Sequence, residues 1–285
     1  MGSNPIQWFL LASTLSPGFI PIQSSAADAQ VSNGRFLQFT QSAPYATADE
    51  VKRRLGFKNT PPNYEISKES FRVIVPENSS TNSTWGLLVW ISPSDEVRIP
   101  SDWAPELERH RLLLVGALNS GNNRDAMDRA RLALDATANM CRQYKIDRRR
   151  IYIAGFSGGA RMASMIGVAW PDVFTGTLCV CGVNFYREVK TAAGGYYAAA
   201  YTADPRYLSM AKTARRFVLL TGENDINREN TKILMENGFL QDRFSQVIYL
   251  DVPGMKHAIP SAVELNTALV YLDTGKKPRA PSRDR

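Results

Sequence analysis

Ser157 lies in Gly155-Phe156-Ser157-Gly158-Gly159, between a β-branched and aromatic run, Ile151 to Ala154, and an apolar segment with helical spacing, Ala160 to Ile166. Strand, sharp turn and helix are the context in which a Gly-x-Ser-x-Gly pattern acquires chemical meaning. Flanking glycines let the serine take a strained backbone without a Cβ striking the neighbouring strand or helix, and the hydroxyl then stands clear at a helix N-terminus. Further along the chain, Phe217 to Thr221 is followed by Gly222-Glu223-Asn224-Asp225, and Val247 to Asp251 by Pro253-Gly254-Met255-Lys256-His257. The order serine, acid, histidine suits a histidine that takes the hydroxyl proton and a carboxylate that holds the imidazole in the right tautomer. The chain has only two histidines. His110 falls between a polar helix and the start of a strand, where a surface or satisfied structural histidine is expected, so His257 is the expected base. Asp225 is the expected acid, with Glu223 as its competitor and Asp251 read as structural.

Attack on a carbonyl creates an oxyanion that needs positioned donors. The backbone N–H of Gly158 is the expected first donor. The second should come from the turn after Gly86 to Ile91, which reads Ser92-Pro93-Ser94. Pro93 has no N–H, which leaves Ser94, with Ser92 as the alternative. Asn119 and Asn184 follow two further strands and either line the cleft or cap loops.

The elements that must hold these residues alternate. Phe71–Val75, Gly86–Ile91, Arg111–Ala117, Ile151–Ala154, Thr177–Val183, Phe217–Thr221 and Gln246–Leu250 read as strands. Helical spacing appears over Thr47–Leu55, Asp102–His110, Ala126–Tyr144, the segment after Ser157, Arg206–Lys212, Glu229–Leu240 and Ser261–Asp273. Strands alternating with helices predict an α/β fold, a mostly parallel, doubly wound sheet with helices on both faces. In such a sheet, functional groups gather beyond the C-terminal strand ends.

A chain of 285 residues with 44% apolar composition can bury a large core. Of its net charge of +7, the stretch Lys276 to Arg285 supplies +4, from five bases and one acid. That reads as a solvated basic tail, and no aromatic-interleaved basic patch points to nucleic acid. Residues 1–29 contain an apolar patch, Trp8 to Leu15, too short to span a membrane, and end in the small-x-small sequence Ala27-Asp28-Ala29. A cleaved export signal is expected there, implying a secreted or periplasmic protein, with a disordered leader as the alternative. Residues 30–274 are expected to form a single domain and 275–285 a disordered tail. Asn78-Ser79-Ser80 and Asn82-Ser83-Thr84 match the glycosylation acceptor pattern and mark a polar loop. Cys141, Cys179 and Cys181 are too few and wrongly spaced for a zinc site. Free thiols are the simpler reading, with a disulfide from Cys141 to one of the others open to an exported protein. Cys179 and Cys181, two apart in a strand, should share a face.

The stretch Asp147 to Arg161, followed by Trp170-Pro171-Asp172-Val173-Phe174, resembles the nucleophile-elbow region of poly(3-hydroxybutyrate) depolymerase-like and feruloyl-esterase-like serine esterases of the α/β-hydrolase fold. The resemblance covers roughly Phe71 to Asp273. It implies a single α/β-hydrolase domain in which Ser157, Asp225 and His257 are nucleophile, acid and base. Small-molecule or polymeric esters would be cleaved through an acyl-enzyme, with no metal or organic cofactor. The family commonly carries His-Gly where this chain has Ser92-Pro93-Ser94, so the oxyanion turn departs from its pattern. A peptidase with the same residues, or a non-catalytic binding protein of the same fold, are the rival readings.

Overall fold

A computed structural model describes residues 34–61, 63–76, 83–191 and 193–278. The expected leader, most of the candidate glycosylation loop and the end of the basic tail lie outside the described residues. In chain order the elements are β1 (Gly34–Gln38), α1 (Ala48–Leu55), β2 (Ser70–Ile74), β3 (Trp85–Ile91), α2 (Trp103–Arg109), β4 (Leu112–Ala117), α3 (Ala126–Gln143), β5 (Ile146–Phe156), α4 (Gly158–Ala169) and β6 (Gly176–Val180). A short hairpin follows, β7 (Val189–Lys190) with β8 (Tyr196–Tyr197), then α5 (Pro205–Ala214), β9 (Arg216–Gly222), α6 (Arg228–Ile233), β10 (Val247–Val252) and α7 (Ala262–Thr274).

Eight strands form one sheet in the order β1-β2-β4-β3-β5-β6-β9-β10. From β4 to β10 every neighbouring pair is parallel, while β2 runs antiparallel to both β1 and β4. The central strands are apolar on both faces because helices cover both. Leu87, Val89, Ile153 and Leu219 pack towards α1, α3 and α4, whereas Leu88, Trp90, Tyr152 and Leu220 pack towards α2 and α7. This period of two assigns alternate residues of one strand to opposite cores. Local signals fix the helix ends. Thr47, Asp125, Asp204 and Ser261 each accept a hydrogen bond from a first-turn N–H of the helix that follows, and Gly56 and Gly275 close α1 and α7 with positive φ.

Several sequence expectations need correction. The strand read as Thr177–Val183 stops at Val180, because Cys181 turns into left-handed backbone at φ 55°. Cys179 therefore packs on the α3–α4 side and Cys181 on the α2–α7 side, not on one face. Both are buried, and all three cysteines are free thiols, so the disulfide alternative is not realised. The helix expected over Glu229–Leu240 is α-helical only to Ile233 and continues as a π-helix from Leu234 to Leu240. No helix among the described residues is long and apolar enough to cross a membrane.

Candidate active site

Ser157 sits between the end of β5 and the first turn of α4, at φ 53° and ψ −117°. A non-glycine residue in such a conformation costs about 1–3 kcal/mol and persists only where the surroundings impose it. Here the imposition is visible. The Ser157 N–H donates to Val180 O of the neighbouring β6 at 2.8 Å, and Ser157 O accepts from Arg161 N at 3.1 Å as α4 begins. Gly159 lets the helix start this close to the sheet: a Cβ there would lie 1.9 Å from Ile91 O.

Asp225 and His257 are brought together by two loops that leave adjacent parallel strands. Glu223 N donates to Val252 O at 2.9 Å and Asn224 N to Met255 O at 2.9 Å, closing the β9 loop onto the β10 loop. Glu223 Oε2 accepts from Gly254 N at 2.9 Å. The competitor acid thus anchors the turn that precedes His257 and does not meet the imidazole. Asp225 does: its Oδ1 lies 2.7 Å from His257 Nδ1, and His257 Nε2 lies 2.9 Å from Ser157 Oγ. The three expected residues are therefore joined in one hydrogen-bonded chain. The Phe156 ring packs against the imidazole with centroids 4.9 Å apart.

Burial pushes the Asp225 carboxyl up, but the hydrogen bonds it accepts from Thr221, the Asn227 backbone, Cys181 and His257 outweigh that and hold it below its ordinary value. Thr221 Oγ1 donates to Oδ2 at 2.6 Å and Asn227 N to Oδ1 at 3.0 Å. Asn227 also donates its side-chain amide to Cys181 O at 2.9 Å and accepts from Arg161 at 3.2 Å, linking the acid loop to α4. Cys181, Asp225 and His257 offer ligand atoms within 4.8 Å of one another. Burial raises the Cys181 thiol far above its usual range, however, and the carboxylate and imidazole already bind each other.

His110 lies at the other end of the sheet, between Asp273 and Asn266, as its expected structural role requires. Ser94 N donates to Ser92 Oγ at 3.2 Å within its own turn. Asn119 N ties the β4 loop to Asp95 O at 2.8 Å, a loop-joining role. Asn184 lines a cavity of about 360 Å³ together with Arg161, Phe185, Tyr197, Asn230 and Leu234. Thr221, Cys181 and Asn227 were missed from the sequence. Thr221 ends its strand four residues before the acid, which is a usable signal; the other two reach the site through tertiary contacts alone.

No protein-family model and no curated protein sequence matches the chain. Solved structures do match it. A variant of the feruloyl esterase module of Clostridium thermocellum, complexed with sinapinate, superposes with a TM-score of 0.57 at 14% identity, covering 88% of this chain and 92% of that one. The S-formylglutathione hydrolase of Staphylococcus aureus gives a TM-score of 0.52 at 14% identity, covering 72% and 92%. A Bacteroides ovatus protein assigned as a dipeptidyl aminopeptidase IV gives 0.50 at 12% identity over 72% of this chain, which spans only 33% of that protein's length. The chain has the α/β-hydrolase fold. Identities of this size carry the fold and nothing finer. In an α/β-hydrolase, functional side chains collect beyond the C-terminal strand ends. Ser157, Asp225 and His257 follow β5, β9 and β10 at that edge of the sheet.

Proposed function

We propose that the protein is a serine hydrolase that cleaves carboxylic esters through an acyl-enzyme, with Ser157 as nucleophile, His257 as base and Asp225 as the acid that orients it. The observation that carries this reading is the hydrogen-bonded chain from Ser157 Oγ through His257 to Asp225, at 2.9 and 2.7 Å, with the serine held in a strained backbone. His257 Nε2 takes the hydroxyl proton as Oγ attacks the ester carbonyl, and the carbonyl electrons move onto oxygen. The N–H of Gly158 meets that oxyanion at the start of α4, where the helix dipole favours negative charge. Collapse returns the electrons, breaks the C–O bond, and His257 hands its proton to the leaving alcohol. Water then repeats the sequence and releases the acid. Asp225 keeps Nδ1 protonated, so that Nε2 is the basic nitrogen. The steps require no metal or organic cofactor.

A fluorophosphonate probe is expected to label Ser157, and Ser157→Ala to abolish both labelling and the turnover of p-nitrophenyl esters. Robust turnover by the alanine variant would overturn the reading. Matched ester and amide substrates separate an esterase from a peptidase, since an amide demands protonation of a poorer leaving group. A folded wild type that neither labels nor turns over either substrate leaves the binding-protein reading.

The same reading takes residues 30–274 as the catalytic unit, residues 1–29 as a cleaved export signal and 275–285 as a basic tail. N-terminal sequencing of protein collected outside the cytoplasm tests it: cleavage after Ala29 is expected, and an intact Met1 would refute export by this route.

A further inference from the structure

We propose that the second donor to the oxyanion is the side-chain amide of Asn122, held in place by the buried guanidinium of Arg129, and not the backbone N–H of Ser94. The proposal rests on the esterase reading above. Two sets of observations lead to it.

One concerns the turn. Pro93 has no N–H, and that of Ser94 is directed to Ser92 Oγ. The Ser92 carbonyl, meanwhile, accepts from Arg129 Nη2 at 2.9 Å. The Ser94 N–H is thus engaged within the turn, and the Ser92 carbonyl is tied to α3. What it does supply is an anchor, since Asn122 N donates to Pro93 O at 2.9 Å and fastens the β4 loop beside it.

The other concerns Asn122 itself. Its amide abuts Gly158, the residue whose N–H is the first donor: a Cβ on Gly158 would lie 2.0 Å from Asn122 Oδ1 and 2.8 Å from Nδ2. Asn122 Oδ1 accepts from Arg129 Nη1 at 3.4 Å. A guanidinium only donates, so it fixes which way the amide faces and leaves Nδ2–H as the group offered to a ligand. Arg129 is only 5% exposed, its Nε has no partner, and among the described residues no carboxylate pairs with it. Burial pushes its pKa down to about 10, so it stays charged at neutral pH. A buried cation without an anion is expensive to keep. Behind the oxyanion site it has a counter-charge for as long as the tetrahedral intermediate lasts, so its stabilising effect grows towards the transition state and falls on kcat more than on KM.

The test uses the full-length protein and p-nitrophenyl butyrate. Asn122→Ala and Asn122→Asp should each lower kcat by about 10²–10³-fold, the range seen on losing one oxyanion donor, with KM within about threefold and the melting temperature unchanged. The inhibition constant of a trifluoromethyl ketone, which forms a tetrahedral oxyanion on the serine, should rise in parallel. Arg129→Met, a change to a positioning residue, should lower kcat at unchanged KM, and Arg129→Lys should recover part of the loss. If Arg129→Met does not fold, the two Asn122 variants decide. Turnover by Asn122→Ala within threefold of wild type, while Ser157→Ala is inert, overturns this proposal alone. An inert wild type overturns the esterase reading and this proposal with it.

Discussion

Thr221 Oγ1 lies 2.6 Å from Asp225 Oδ2, the carboxylate oxygen that His257 does not use. Both residues are buried, so each oxygen of the acid has its own donor and the carboxylate is held from two sides. Thr221→Val removes one donor and leaves Oδ2 buried without it, which should cost about 1–3 kcal/mol in urea unfolding at neutral pH. The carboxyl should also titrate higher. Asp225 contributes stability above the pKa it has in the unfolded chain, and that contribution disappears as pH falls through its depressed folded value. The valine variant should therefore lose its stability at a higher pH than wild type on acid titration. An unchanged acid midpoint would show that Thr221 does not tune the acid.

Asp225 and Glu223 stand two residues apart in one loop and do different work. Asp225→Asn keeps the shape but reverses the hydrogen-bonding sense at His257 Nδ1, and should lower kcat on esters by about 10⁴. Glu223→Gln loses only the charge of the group that holds Gly254 N. Its kcat should stay within about tenfold of wild type. A larger loss from Glu223→Gln than from Asp225→Asn would exchange their roles.

Adjacent glycines separate folding from catalysis. A methyl on Gly159 meets the backbone carbonyl of Ile91 at 1.9 Å, and the strand cannot yield, whereas the nearest atoms to a methyl on Gly158 all belong to the end of the Asn122 side chain. Gly159→Ala should lower the melting temperature, through overpacking of about 1–3 kcal/mol or more. Gly158→Ala should melt close to wild type yet lose ester turnover as Asn122 is displaced. Equal melting temperatures for the two variants would contradict this division.

Much of this arrangement is legible from local pattern. The runs at Gly86–Ile91 and Phe217–Thr221 identify buried strands, and with so few histidines the choice of His257 follows once the serine lies in a strand–turn–helix. The fold departs from sequence expectation where the cause is non-local. β1 (Gly34–Gln38) pairs antiparallel with β2, and β2 antiparallel with β4, registers that alternation within any one segment cannot reveal. Cys181 looked like one more strand residue, but its positive φ comes from the loop it must enter beside Asp225. Asn122 carries no sequence signal: its place depends on hydrogen bonds between the β3 and β4 loops.

The second histidine makes a pH prediction remote from the site. Both ring nitrogens of His110 face oxygens, Asp273 Oδ2 at 3.2 Å and Asn266 Oδ1 at 2.9 Å, and a ring that must donate twice is favoured in its charged form. The hydrogen bond to Asp273 accordingly raises the pKa of His110, against burial and the charge of Arg109. Burial pushes Asp273 up, but His110, Arg150 and Tyr152 together bring it down to about 2. A raised histidine stabilises fully below its unfolded pKa, about 6.5, and that contribution is lost as pH rises through the higher folded value. A depressed aspartate stabilises above its unfolded value of 3.8 and loses that as pH falls towards about 2. The pair should thus contribute most between roughly pH 4.5 and 6.5. His110→Gln should destabilise the protein more at pH 5.5 than at pH 8.5 in urea unfolding, with ester turnover unchanged because the cluster lies at the opposite end of the sheet from Ser157. Asp273→Asn, which removes the charged partner of His110 and Arg150, should lose about 2–3 kcal/mol at pH 7, the equivalent of holding a carboxyl at about 2 in place of 3.8. An equal loss for His110→Gln at both pH values would show that His110 contributes as a neutral hydrogen-bonding group and not as a cation.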